Sequence, residues 1–166
     1  MPPVNIAVAG AGVIGRAHIA VIAQSSQCRL SAIADPSEAA QALAQEHGVP
    51  WFATLDQLLA AVSPDGVILA TPNAMHVPQA LQCIAAGVPV LVEKPIAHTV
   101  ADAQKLVQAT QAHQAKVLIG HHRAHSPIMR QAQAVIDEGR LGQLVSVVGS
   151  AMFYKPDDYF TQAPWR

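Results

Sequence analysis

Charge is scarce in this chain. Only 13% of its 166 residues are Asp, Glu, Lys or Arg, and the net charge is −1 with His neutral. So weak and balanced a charge leaves no electrostatic footprint for nucleic acid or for an anionic membrane surface. Cysteine occurs twice, as Cys28 and Cys83, too far apart for any metal or redox spacing. Two reduced thiols are the expectation. No apolar run reaches the roughly 18 residues of a membrane span. Met1-Pro2-Pro3-Val4 leads directly into an apolar segment, without the layout of a secretory leader, so the expected compartment is the cytoplasm. Internal repeats and low-complexity tracts are also missing.

Apolar residues, by contrast, make up 51% of the chain, an ordinary interior for a packed α/β domain. A chain of this length buries about two thirds of the surface its unfolded form exposes. Short apolar runs at 4–9, 30–34, 51–53, 67–70, 88–92 and 116–119 read as strands. Between them lie helical patterns: Val13, Ile14, Ala17, Val21 and Ile22; then Ala39, Ala40, Leu43 and Ala44; then Leu55, Leu58, Leu59 and Val62; then Val77, Ala80, Leu81 and Ile84; then Val100, Ala103, Leu106 and Val107. Strands alternating with amphipathic helices predict an α/β fold, a doubly wound parallel sheet with helices on both faces. The expected division is a dinucleotide-binding domain over 1–120, a connecting loop and helix over 121–143, and the start of a further domain over 144–166. In that last part a long strand is expected over 144–153, with Val145, Val147, Ala151 and Phe153 facing inward. If its edge were uncovered, it would favour a homo-oligomer.

The first strand runs into Gly10-Ala11-Gly12-Val13-Ile14-Gly15, and a helix follows. That order suits a dinucleotide pyrophosphate. Gly10 permits the tight turn, Gly12 lets the backbone approach the phosphates, and Gly15 lets the helix pack close to the strand. Backbone N–H groups of Val13 and Ile14 then open the helix toward an anion. The second strand ends at Asp35, 20 residues beyond Gly15, where a carboxylate accepts hydrogen bonds from the adenosine ribose. Asp35 repels a 2′-phosphate, and Pro36 and Ser37 offer no arginine to offset it. NAD is therefore expected over NADP.

Two more strand ends carry polar residues. Glu93-Lys94-Pro95 follows the fifth strand, at the edge where open parallel sheets bind ligands. Lys94 is there either as a surface lysine or as a group that holds a substrate hydroxyl and takes part in acid–base work. Thr71-Pro72-Asn73 follows the fourth strand, with His76 one helical turn on. Asn73 reads equally as a ligand contact and as a helix N-cap. His121, His122 and His125 lack a carboxylate or cysteine at ligand spacing, so no metal is expected. Arg123 among them is suited to holding hydroxyl or carboxylate oxygens of a substrate. His18, inside an apolar helical stripe, reads as a packed, hydrogen-bonded histidine rather than a catalyst.

Taken in order, these motifs resemble the glucose–fructose oxidoreductase, inositol dehydrogenase and rhizopine-catabolism family (Gfo/Idh/MocA). The resemblance rests on residues 10–18, on Ala70-Thr71-Pro72-Asn73 with His76, and on Glu93-Lys94-Pro95-Ile96-Ala97. It continues through Arg123, Pro127 and Asp137-Glu138-Gly139-Arg140-Leu141-Gly142. It implies a Rossmann-type NAD(P)-dependent oxidoreductase that transfers hydride between nicotinamide and a sugar, polyol or similar hydroxylated substrate. It implies a catalytic role for Lys94, which also reaches the cofactor, alongside Glu93, Thr71, Pro72, Asn73 and His76. Trp165 and Arg166 are implied to lie near the nicotinamide. Ala124 departs from the family, which often has an aromatic residue there. The sequence given stops before the aspartate and histidine that usually complete the site, so it reads as an N-terminal fragment, inactive by itself. The competing reading is a non-catalytic dinucleotide-binding sensor on the same scaffold.

Overall fold

The computed structural model describes residues 2–161. The fold divides into two compact units, Met1–Gly120 and His121–Arg166.

In the first unit, six strands form one parallel sheet: β1 (Val4–Ala9), β2 (Cys28–Ala34), β3 (Trp51–Phe52), β4 (Gly66–Leu69), β5 (Val90–Val92) and β6 (Val117–Ile119). Their order is β3-β2-β1-β4-β5-β6. The order reverses between β1 and β4, the switch point where open α/β sheets take ligands. Five helices connect the strands: α1 (Val13–Ala23), α2 (Glu38–Glu46), α3 (Leu55–Ala61), α4 (Asn73–Ala85) and α5 (Val100–Ala112).

Side chains alternate across the sheet and divide the core in two. Val8 and Ile33 pack with Ile19 and Ile22 of α1 and with Ala40, Leu43 and Ala44 of α2. Ala7, Ala9, Ala32, Ala34, Val67 and Leu69 face the other way, onto Leu55 and Leu58 of α3, Val77, Ala80 and Ile84 of α4, and Leu106 of α5. Strands buried on both faces need continuous apolar sequence, which explains the short unbroken runs.

Several details differ from the sequence expectation. The buried face of α1 is Gly15, Ile19 and Ile22, whereas Val13, Ile14 and Val21 stand exposed. Gly15 sets that phase, because it must lie against the backbone of the glycine turn. In α5 only Leu106 is buried. β5 begins at Val90 rather than Val88, since Pro89 has no N–H for the ladder, although its carbonyl still accepts from the Val67 N–H at 2.9 Å. β2 extends back to Cys28, which pairs with Val4.

The second unit carries a short 3₁₀ turn (His122–His125), α6 (Pro127–Asp137) and α7 (Asp157–Thr161). Ser126 caps α6 by accepting the Ile128 N–H at 3.3 Å. The strand expected over 144–153 does not form. A strand needs a neighbour for its ladder, and none of the described residues pairs with this segment. Val145 and Val147, expected to face inward, are 95% and 83% exposed. No helix among the described residues is long and apolar enough to cross a membrane.

Candidate dinucleotide site

A parallel sheet delivers every strand's carboxyl end to one edge. Gly10, Asp35, Ala70, Glu93 and Gly120 each follow a strand there, and each is held by one more ladder bond. The Gly10 N–H donates to Ala34 O at 2.8 Å, Ala70 to Ala9 O at 2.7 Å, Glu93 to Leu69 O at 3.0 Å and Gly120 to Val92 O at 2.8 Å.

The three motif glycines meet different surroundings. Gly10 has φ +88°, and a Cβ on it would stand 2.6 Å from the carbonyl carbon of Ala70. A Cβ on Gly15 would run into the Gly10 carbonyl. Gly12 is the contrast, because a Cβ there would meet nothing within 4 Å. The backbone is therefore bare and open at Gly12, directly before α1, as close approach of a pyrophosphate requires.

Helix caps point the same way. Ser37, Thr54 and Thr99 cap α2, α3 and α5 with side-chain oxygens. α1 and α4, which flank the switch point, have Gly12 and Pro72 at their N-caps and no side-chain cap bond. The N–H groups of Val13 and Ile14 in α1 and of Asn73 and Ala74 in α4 remain available to an anion, whereas the Met75 N–H is taken by Pro72 O at 2.8 Å. Asn73 is the first residue of α4 rather than its N-cap, since Pro72 holds that position.

Asp35 binds the glycine loop to the end of β2. Its Oδ2 accepts the Ala11 N–H at 2.8 Å. Its Oδ1 accepts the Ser37 N–H at 2.9 Å and the Ser37 hydroxyl at 2.6 Å. The Trp51 indole donates to the Asp35 carbonyl at 2.8 Å. Burial raises the pKa of this carboxyl, but the bonds from Ala11 and Ser37 and the nearby Arg16 charge outweigh that and hold it below the ordinary range. Asp35 is thus a carboxylate at the site edge with acceptor capacity left on Oδ2, which bears only the Ala11 N–H, to receive a ribose hydroxyl.

Across the switch point, the Thr71 hydroxyl donates to Gln79 Oε1 at 2.6 Å. His76 is 1% exposed. Its Nε2 lies 2.9 Å from Thr71 O and its Nδ1 2.8 Å from Pro95 O. A neutral imidazole satisfies one such carbonyl at a time, and a doubly protonated one satisfies both. Glu93 Oε1 lies 2.9 Å from His18 Nε2, and Oε2 accepts the Lys94 N–H at 3.2 Å. The Lys94–Pro95 bond is cis. Lys94 is exposed, and its ammonium has no hydrogen-bond or ion-pair partner among the described residues.

Arg123 sits on the 3₁₀ turn of the second unit, its guanidinium 5.1 Å from the centre of the Phe153 ring. Trp165 and Arg166 lie outside the described residues. Among the described residues no three His, Cys, Asp or Glu side chains gather as a metal site. Sequence reasoning missed Ser37, Trp51 and Gln79 as partners of site residues. Only Ser37 had a local signal, standing two residues after an aspartate at a strand end.

The residues at this edge fit a dinucleotide, and comparison with known proteins agrees. The chain is 32% identical over 143 residues to the rhizopine catabolism protein MocA of Rhizobium meliloti, a match covering 86% of this chain and 45% of that protein. Inositol 2-dehydrogenase of Rhizobium meliloti (strain 1021) is 31% identical over 166 aligned positions, covering 96% of this chain and 49% of that protein. The structure of WlbA dehydrogenase from Bordetella pertussis in complex with NADH and UDP-GlcNAcA superposes with a TM-score of 0.88 at 27% identity, over 99% of this chain and 51% of that one. Scyllo-inositol dehydrogenase from Lactobacillus casei, with bound NAD(H) and scyllo-inositol, gives a TM-score of 0.81 at 26% identity, over 84% of this chain and 42% of that one. The chain thus spans about half the length of the relatives it matches. Residues 4–121 match the family described as oxidoreductase family, NAD-binding Rossmann fold, and the chain belongs to that GFO/IDH/MocA family.

Proposed function

We propose that this chain is the cofactor-holding part of an NAD-dependent oxidoreductase that moves hydride between the nicotinamide and a hydroxyl-bearing carbon of a sugar or polyol. The observation that carries the reading is Lys94, exposed and without a hydrogen-bond or ion-pair partner among the described residues, on the same sheet edge as the open glycine turn. Bound NAD supplies the hydride-accepting ring. The chain supplies the rest. Gly10, Gly12 and Gly15, with the N–H groups of Val13 and Ile14, receive the pyrophosphate. Asp35 accepts from the adenosine ribose and disfavours a 2′-phosphate. Thr71, Pro72, Asn73, His76 and Glu93 shape the nicotinamide side, directly or through the loops they hold. Lys94 Nζ holds the reacting oxygen and exchanges its proton. Arg123 is suited to further substrate oxygens, and Trp165 with Arg166 to the nicotinamide end. Relatives named as inositol dehydrogenases, and a relative bound to NADH and UDP-GlcNAcA, support this substrate class.

The test is reduction of NAD or NADP by the full-length protein with myo-inositol, scyllo-inositol and a set of sugars and sugar nucleotides. Turnover with NAD that falls to a small but measurable residual rate in Lys94→Ala, while NADH binding persists, is the expected result. NADH binding without turnover on any of these would favour the non-catalytic sensor. Full activity in Lys94→Ala would remove Lys94 from the mechanism.

A further inference from the structure

Lys94 has a neighbour on each side that is tethered to an imidazole. Before it, the Glu93 carboxylate meets His18 of α1 at 2.9 Å, with side chains 12% and 26% exposed. After it, the Pro95 carbonyl meets His76 of α4 at 2.8 Å, deep in the interior. His76 Nε2 also lies 2.9 Å from Thr71 O, so the ring sits between the loop after β4 and the loop after β5, and when neutral it donates to one of the two carbonyls at a time. α1 and α4 pack on opposite faces of the sheet. The two tethers therefore act on the lysine segment from opposite sides. The Lys94 backbone is bonded as well, through its N–H to Glu93 Oε2. Gly120 backs the same carboxylate, since a Cβ there would lie 2.8 Å from Glu93 Oε1. Only the lysine's own ammonium is left without a partner among the described residues.

A histidine buried only for packing needs any one acceptor. Here two histidines from two helices find theirs on the two residues that flank the single exposed lysine of this edge. We propose that His18 and His76 are positioning residues, a clamp that holds Glu93 and Pro95 and so fixes where the Lys94 ammonium reaches. The proposal rests on the reading that Lys94 acts on the reacting oxygen. Misplacing a reacting group by about 1 Å costs on the order of a hundredfold in rate, so a clamp on its backbone bears directly on turnover.

The test uses the full-length protein and four changes. His18→Leu removes a donor and His18→Gln retains one. His76→Asn removes the ring that lies between the Thr71 and Pro95 carbonyls. Gly120→Ala displaces the Glu93 carboxylate, the movable end of a flexible side chain, without touching a histidine or the lysine. Expected for His18→Leu and Gly120→Ala is a kcat at least about tenfold lower, with substrate KM and NADH affinity within about threefold and substantial recovery in His18→Gln. Hydrogen exchange without cofactor should quicken in the peptide spanning 92–96 and stay unchanged elsewhere in the first unit. In a Lys94→Ala background the same changes should lower the residual rate no further, because they act through that lysine.

Unchanged kcat in both His18→Leu and Gly120→Ala overturns the clamp. So does an equal loss with and without Lys94, which marks a merely structural role. If His76→Asn fails to fold, the His18 and Gly120 variants decide alone. If Lys94→Ala is itself fully active, the reading of Lys94 has failed and the positioning role fails with it. Local quickening of exchange would then show that the tethers exist but serve the fold.

Discussion

Replacing Gly12 by Ala separates binding from folding, because the structure assigns this glycine no packing duty. Its φ is −71°, which any L residue adopts, and a Cβ there meets nothing within 4 Å. Alanine in compatible backbone gains about 0.4–1 kcal/mol through the unfolded chain. It is also a poorer N-cap than glycine by a few tenths of a kcal/mol or more. The two nearly cancel, so Tm should move by less than about 4 °C. The methyl does, however, take the open space before α1. Losing one charge-assisted hydrogen bond to the pyrophosphate costs about 1.5–3 kcal/mol, or roughly ten- to a hundredfold in Kd. Gly15→Ala is the control. Its methyl overlaps the Gly10 carbonyl. Overpacking of about 1–3 kcal/mol is offset by at most about 1 kcal/mol of helix propensity. Because the obstacle is backbone, the upper part of that range applies, and Tm should fall by about 5 °C or more. The assays are a thermal melt by circular dichroism and an NADH titration by fluorescence. A Gly12→Ala protein that binds NADH with unchanged affinity refutes the reasoning. One that melts as low as Gly15→Ala refutes it from the other side.

Three further outcomes are expected. Asp35→Asn should lower the preference for NAD over NADP by about tenfold or more, measured by titrating each separately, since a like charge of at least about 1.4 kcal/mol is removed; equal preference in both proteins would sink the argument. The folded pKa of Asp35 lies below its unfolded value of about 3.9, so its stabilisation is complete above that pH and is lost as pH falls toward the folded value. Melts taken below about pH 4 should therefore fall less steeply in Asp35→Asn than in the parent, and superimposable acid limbs would contradict this. Burial pushes the Cys83 thiol up to about 12, so iodoacetamide at mildly alkaline pH should label Cys28 in the native protein and Cys83 only after denaturation; equal native labelling would count against it.

What could be read from the sequence is what depends on neighbours along the chain. The apolar runs, the glycine turn and Asp35 at the end of β2 are local patterns, and each strand lies within two residues of its expected place. Where a boundary moved, the reason lay in another strand: Cys28 joins β2 because Val4 is there to pair with it. The segment 144–153 shows the limit of periodicity. Its alternation satisfies a strand, yet a strand is a relation between two segments. The apolar stripe of α1 was in the wrong phase because contact with the glycine turn, not hydrophobicity, decides which face is buried. The tethers were illegible for the same reason. His18 could be read as hydrogen-bonded, but its partner is 75 residues away, and that of His76 Nδ1 is 19 away.

The bond from Ala11 to Asp35 constrains how such a protein can evolve. The carboxylate proposed to select the cofactor also satisfies the N–H of a residue that is only 6% exposed. A mutation that deletes the carboxylate to admit a phosphorylated ribose orphans that N–H, at a cost of about 1–3 kcal/mol. A change of cofactor therefore has no neutral single step at this position: the first substitution must bring another acceptor, or a second must follow it. Preference is inherited together with the shape of the turn, and lineages that cross from one cofactor to the other should carry paired changes at 35 and within the glycine loop.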